Sequence, residues 1–293
     1  VETDEYRNTI IVGAAEDVLP AFPERSIPLF IFSPPYNLDR RADGRRLSAT
    51  GAGITRSVRT KAQRAALASG HYATVTAYGQ RGGAGKWKNG TAYDVHNDAM
   101  EWEEYTTWQH RVLQECWRCL SDDGAIFYIH KPRVQNGECI LPSAYNPGLP
   151  LRQEIIWRRA GGVNMAPTHY MPVHERILII AKPAFRLKSK GASGVGDVWD
   201  IPQEPNTWHP APFPRALVGR ILETVKRPSL VCDPFMGSGT TGRVAREWGI
   251  DYIGIEKSPA YAERARREIA AAEGRDLTPA TELGPLFAGL EAA

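Results

Sequence analysis

The chain is short of cysteine, of paired metal ligands and of long apolar runs, and each shortage narrows what it can do. Four cysteines occur in 293 residues, Cys116, Cys119, Cys139 and Cys232. Cys116 and Cys119 have C-x-x-C spacing, but they fall in a helical pattern and no second ligand pair follows, so they read as structural thiols. His174-Glu175 lacks the second histidine of a zinc-protease helix, and no metal is assigned. No apolar run reaches the roughly 18 residues of a membrane span. The acidic start Val1-Glu2-Thr3-Asp4-Glu5 is not a signal peptide, and a soluble cytoplasmic protein is expected.

What is present is an ordinary globular composition, 42% hydrophobic and 24% charged. The length suits one large α/β core, or one core with a small appended module. The net charge of +3 conceals an asymmetry. Residues 37–92 hold eleven basic side chains, Arg40, Arg41, Arg45, Arg46, Arg56, Arg59, Lys61, Arg64, Arg81, Lys86 and Lys88, against Asp39 and Asp43. Eleven less two leaves +9 there, and therefore −6 for the remainder. A local basic segment on an acidic body predicts a polyanion-binding surface, most often for nucleic acid.

Apolar runs at residues 10–12, 29–32, 125–129, 154–157, 177–181, 230–232 and 252–255 predict seven buried strands. Tyr105, Trp108, Val112, Cys116 and Leu120 recur at helical spacing, with Gly124 marking the exit. Ser258 is a good N-cap with Pro259 at the first helical position, and Tyr261, Ala265 and Ile269 then share a face. Strands alternating with helices predict an α/β, doubly wound, mostly parallel sheet. Residues 37–100 break the alternation and read as an inserted basic module, with a short helix over 60–68 and a glycine-rich stretch at 79–90. Residues 277–293 read as a tail.

Two short strings carry chemistry. Near the start, a strand leads into Ser33-Pro34-Pro35-Tyr36. The prolines force a rigid extended turn and offer no N–H, so nearby carbonyls can face a ligand, while Tyr36 offers a ring on which a base can stack for about 1–3 kcal/mol. Near the end, a strand leads into Asp233-Pro234-Phe235-Met236-Gly237-Ser238-Gly239-Thr240-Thr241-Gly242 and then a helix pattern. Glycines let a ligand approach the backbone, and the helix N-terminus offers free N–H groups. Glu256, at the end of the next strand, is placed to accept hydrogen bonds from ribose hydroxyls, with Lys257 beside it. The absence of Gly-Lys-Ser/Thr excludes a Walker loop. A carboxylate at Asp233 would repel a pyrophosphate but suits a cationic amino-acid group such as that of S-adenosylmethionine.

Taken in this order, the two strings resemble those of β-class DNA amino-methyltransferases, in which the Ser/Asp-Pro-Pro-Tyr motif precedes the cofactor motif. Phe213 and Pro214, in the string at 209–214, resemble the segment that contacts cofactor, and residues 197–202 also look like family sequence. The resemblance covers most of the chain outside the basic insertion. It implies a Rossmann-like seven-stranded methyltransferase sheet with circularly permuted motif order, forming one catalytic domain over residues 1–276. Within it the catalytic half would span 1–182 and the cofactor half 197–276. It implies S-adenosylmethionine as cofactor and double-stranded DNA as substrate, with the base flipped out of the helix. In that reading Ser33 Oγ and the Pro34 carbonyl accept the two N–H groups of an exocyclic amine and aim its lone pair at the methyl group. A restriction-modification setting in a bacterium or phage is implied, with a separately acting cognate nuclease and a homodimer as further partners.

Serine at the first motif position resembles cytosine-N4 enzymes more than adenine-N6 enzymes, which usually carry aspartate; adenine N6 stays as the alternative. A nicotinamide-dependent oxidoreductase is the distant one, since too little chain follows residue 237 to complete a dinucleotide fold in the usual order. Family members often carry Gly-Asp near the first strand, whereas here Gly13 is followed by Ala14, leaving Asp17 as the substitute for contacting the cofactor's adenine. Only residues 182–196 are left for a recognition region before the cofactor half. The basic insertion is therefore the candidate for clamping DNA and reading bases, followed by residues 158–173.

Overall fold

The computed structural model describes residues 3–37, 95–97, 100–135, 137–159, 169–204 and 212–273. Among these residues lie ten strands: β1 (Thr9–Val12), β2 (Ile27–Phe32), β3 (Leu120–His130), β4 (Arg133–Gln135), β5 (Glu138–Ile140), β6 (Leu151–Arg158), β7 (His174–Ala181), β8 (Val198–Asp200), β9 (Leu230–Asp233) and β10 (Asp251–Glu256). Five α-helices accompany them: α1 (Ala15–Val18), α2 (Trp102–Cys119), α3 (Arg215–Thr224), α4 (Thr240–Glu247) and α5 (Pro259–Glu273).

Eight strands form one sheet in the order β1-β10-β9-β2-β3-β7-β6-β8, and β4 and β5 pair as a separate hairpin. From β1 to β3 every pairing is parallel. β7 runs antiparallel to both β3 and β6, and β8 is parallel to β6, so β7 alone in this sheet is reversed. All seven expected strands are here. The eighth, β8, is a three-residue edge strand inside the 197–202 string, too short to show a period.

Alternation along the strands explains the two-sided core. Leu29 and Ile31 face one apolar layer with Leu217, Val218 and Ile221 of α3 and Ala265 and Ile269 of α5. Phe30 and Phe32 face the other, with Tyr105, Val112, Leu113 and Cys116 of α2. Successive side chains of a strand point to opposite faces, so a strand buried on both reads as a continuous apolar run. Phe30, Phe32 and Leu113 are wholly buried; truncating such side chains to alanine costs about 2–5 kcal/mol in cores of this kind.

Two expected boundaries move. The helix read as running to Leu120 ends at Cys119, and β3 begins at once at Leu120. Gly124 is therefore no helix exit but lies inside β3, where a Cβ would stand 2.8 Å from the Pro28 carbonyl oxygen. The expected halves also interleave. β1 pairs with β10 at one end of the sheet, while β8, from the later part of the chain, lies beside β6 at the other. Cys116 and Cys119 are buried in the α2 layer. Burial raises the Cys119 thiol to about 11 and lifts Cys116 well above its ordinary range. No helix among the described residues is long and apolar enough to cross a membrane.

Candidate active site

β9 and β2 are hydrogen-bonded neighbours, Leu29 opposite Val231 and Phe30 opposite Cys232. Being parallel, they end on the same edge, so both strings leave the sheet there. Chain order reverses between these two strands, and such a switch point opens a crevice at the strand C-termini. The crevice is an open cleft of about 790 Å³. Ser33 and Pro35 line it from the first string, and Pro234, Phe235, Met236, Gly237 and Ser238 from the second. Glu256 and Lys257 from the end of β10, and Phe213 ahead of α3, complete the expected wall.

The glycine loop has its shape for local reasons. Gly237 and Gly239 have φ of 49° and 81°, a region that side chains disfavour, and Gly239 caps α4. Gly242 serves packing: a Cβ there would lie 2.8 Å from Ile269 Cδ1 and 3.0 Å from the Tyr252 ring. Glu256 accepts the backbone N–H of Gly237 at 2.8 Å and of Ser258 at 2.9 Å, tying β10 to the loop.

Several expected site residues lie behind the wall. Asp233 is 1% exposed and accepts from the Thr241 hydroxyl at 2.7 Å and the Phe235 N–H at 2.9 Å. Burial, with a smaller push from Glu256, raises its carboxyl to about 7 against those two hydrogen bonds. The carboxylate expected to meet a cationic group is turned inward as a brace of the loop. Gly239, Thr240 and Thr241 shape the loop from behind: Thr240 Oγ1 bonds Ser238 Oγ at 2.9 Å, and Thr241 is buried. Pro214 is likewise buried and serves as the residue before α3. Pro34 is buried between the two lining residues.

Tyr36 also departs from expectation. It is 6% exposed, and its ring packs against His130 at a centroid distance of 4.6 Å, with the Lys131 ammonium 5.3 Å from its centroid. Its ring is thus internal, not part of the wall. Its hydroxyl receives the Ser33 hydroxyl at 2.7 Å and donates to Glu175 Oε2 at 2.7 Å. Glu175 in turn pairs with Arg159 at 2.9 Å. Below them the Tyr105 hydroxyl is 2.7 Å from the Pro35 carbonyl and 2.9 Å from His130 Nε2. Burial lowers His130 to about 3, and it is neutral at ordinary pH.

Sequence reasoning missed several residues on or behind this wall. The turn after β1 was singled out through Gly13, Ala14 and Asp17, but the cleft is lined there by Gly13, Ala14, Ala15 and Glu16, so Ala15 and Glu16 were missed and Asp17 is not on the lining. Trp108 and Tyr261 were legible only as helix-face residues, and His96 and Ser258 complete that side. Glu175 was weighed only as half of a His-Glu pair lacking the second histidine of a zinc-protease helix. Its one signal was a polar head, His174-Glu175-Arg176, on a strand whose remaining residues are apolar. No group of three or more His, Cys, Asp or Glu among the described residues could hold a metal. The eleven basic residues of the insertion, Arg40 to Lys88, lie outside the described residues.

This edge-opening crevice over a mostly parallel sheet is the fold of S-adenosylmethionine-dependent methyltransferases. The PvuII DNA methyltransferase (cytosine-N4-specific) superposes with a TM-score of 0.57 at 17% identity, covering 91% of each chain. A family model described as DNA methylase, of the N6/N4 type, matches residues 27–267, and the chain belongs to that family. The type II methyltransferase M.HinfI of Haemophilus influenzae is 26% identical over 291 residues, covering 91% of this chain and 70% of that protein. The DNA adenine methyltransferase YhdJ of Escherichia coli K12 is 24% identical over 217 residues, covering 62% and 73%. The chain is thus a DNA methyltransferase whose cofactor is S-adenosylmethionine.

The wall fits that cofactor chemically. Glu256 would offer carboxylate oxygens to the cofactor's vicinal hydroxyls, and Phe213, Phe235 and Trp108, which line the same cleft, would give apolar faces to its flat ring. Bound there, the cofactor supplies a methyl group on a sulfonium leaving group. A cysteine nucleophile is not part of this wall: Cys232 is wholly buried, and burial holds its thiol well above the ordinary range.

Proposed function

We propose that this chain methylates the exocyclic N4 amine of cytosine in duplex DNA at one short sequence. The observation that carries the reading is Ser33, on the cleft wall directly beside the glycine loop. An exocyclic amine is a poor nucleophile because its lone pair is delocalised into the ring. Accepting its N–H groups at Ser33 Oγ and at the proline turn favours a more tetrahedral nitrogen and directs the lone pair out of the ring plane. Positioning then supplies most of the catalysis. The base must leave the helix to reach a recessed cleft, since its amine cannot be attacked in line while stacked.

Serine, not aspartate, at position 33 favours cytosine N4. Adenine N6 is the second reading, favoured by the likeness to the adenine enzyme YhdJ. The basic insertion is the proposed DNA clamp and base reader, because its +9 balance matches a phosphate backbone. The test is transfer of labelled methyl groups to duplex DNA by the intact protein and by Ser33→Ala. Transfer is expected in the first and a loss of at least about 100-fold in the second, the scale for removing one preorganised hydrogen-bond partner. Undiminished transfer by Ser33→Ala would remove the proposed site.

A further inference from the structure

We propose that Glu175 is a positioning residue that fixes Ser33 as a pure hydrogen-bond acceptor toward the substrate amine, acting through the Tyr36 hydroxyl. The inference rests on the methyltransferase reading of the site. It follows from counting protons along one chain of contacts. Arg159 Nη1 stands 2.9 Å from Glu175 Oε1, and both side chains are largely buried. A carboxylate paired with a guanidinium has only acceptors to offer. The Tyr36 hydroxyl, 2.7 Å from Glu175 Oε2, must therefore place its single proton there. Its oxygen is then left to accept. Ser33 Oγ, 2.7 Å from Tyr36 Oη, donates its own single proton to that oxygen. Both hydroxyl protons point away from the cleft, and Ser33 presents lone pairs to it.

That polarity matters for substrate choice. An exocyclic amine brings N–H donors, which Ser33 can receive; a base with a carbonyl at that position brings an acceptor and meets lone pairs with lone pairs. Left unconstrained, a serine hydroxyl would rotate and serve either. The chain also makes Ser33 a better acceptor, because hydrogen bonds in series polarise one another and this series ends on an ionised group. Serine thereby gains part of the acceptor strength that a carboxylate at its position would have. Glu175 is the second residue of β7, antiparallel to β3, so it arrives at the cleft edge from the opposite chain direction to the strands bearing the two strings.

The test compares single-turnover methyl transfer, cofactor affinity and DNA affinity in the intact protein, Glu175→Gln, Tyr36→Phe and the double variant. Gln can donate as well as accept, which frees the direction of the chain, while Phe keeps the Tyr36 ring and leaves the Arg159–Glu175 pair intact. Each single variant is expected to lose roughly 100-fold in transfer rate, the scale for one misdirected active-site hydrogen bond, with both affinities unchanged. The double variant is expected to lose no more than either single, because the two substitutions cut one chain. Tyr36→Phe alone decides the matter if Glu175→Gln fails to fold. Wild-type rates in Tyr36→Phe, additive losses, or losses confined to affinity would each overturn the proposal. An intact protein that transfers no methyl group to any DNA would instead overturn the reading of function on which it stands.

Discussion

Asp233 shows how one residue's expected role changes when its surroundings are known. Its type and place, just ahead of the glycines, were legible, and so was the position of Glu256. What could not be read was direction: the Asp233 carboxylate turns into the loop, where Thr241 and the Phe235 N–H hold it. Sequence spacing places a side chain on a strand end but says nothing of partners brought from elsewhere in the chain, which is also why the Tyr36–Glu175 contact was invisible. The burial has a pH consequence. Folded Asp233 keeps its proton up to about pH 7, whereas the unfolded side chain has lost it near pH 3.9. Its stabilising contribution is full below the unfolded value and is lost as pH rises through about 7. Asp233→Asn should therefore gain in thermal stability relative to the wild type between pH 5 and pH 8, measured by thermal unfolding at both. A difference that does not change with pH would contradict this. His130 acts in the opposite sense, since burial lowers it to about 3. Its contribution is present above the unfolded value of about 6.5 and is lost as pH falls below it.

At the scale of elements, strands and helices were legible because their cores are two-sided and apolar. Ser258 and Pro259 open α5 as expected, with the Tyr261 N–H 3.3 Å from Ser258 Oγ. The reversed direction of β7 could not be read, because a period of two has no sense of direction along the chain. Gly124 misled for a related reason. A glycine after a helical pattern suggests a stop, but this one permits close packing of β3 on β2: a Cβ would meet the Leu120 side chain at 2.7 Å and the Pro28 carbonyl at 2.8 Å. Gly124→Ala is expected to destabilise the protein by about 1–3 kcal/mol through overpacking. Urea denaturation measures this, and an unchanged midpoint would show that the β2–β3 packing yields freely.

On the scale of the whole molecule, function depends on a meeting that the sequence separates widely. The two strings lie in one cleft because β9 inserts beside β2, although about two hundred residues run between them. Their order suggested a shared site, but not that β8 would sit at the far edge of the sheet. The basic insertion, proposed above as the DNA clamp, follows directly after the Ser33-Pro34-Pro35-Tyr36 string in the chain. Replacing Arg56, Arg59, Lys61 and Arg64 together by alanine should flatten the dependence of DNA affinity on salt, by about 0.9 in the logarithmic slope for each phosphate no longer neutralised. Binding titrations from low to high salt test it, and an unchanged slope would move the clamp elsewhere. The central claim, transfer to cytosine N4 at the Ser33 cleft, is tested most directly by identifying the product. Duplex DNA treated with the protein and labelled S-adenosylmethionine is digested to nucleosides, which are separated by mass. N4-methyldeoxycytidine is predicted from the intact protein, with at least about 100-fold less formed by Ser33→Ala; N6-methyldeoxyadenosine, or 5-methyldeoxycytidine, as the labelled product would contradict it.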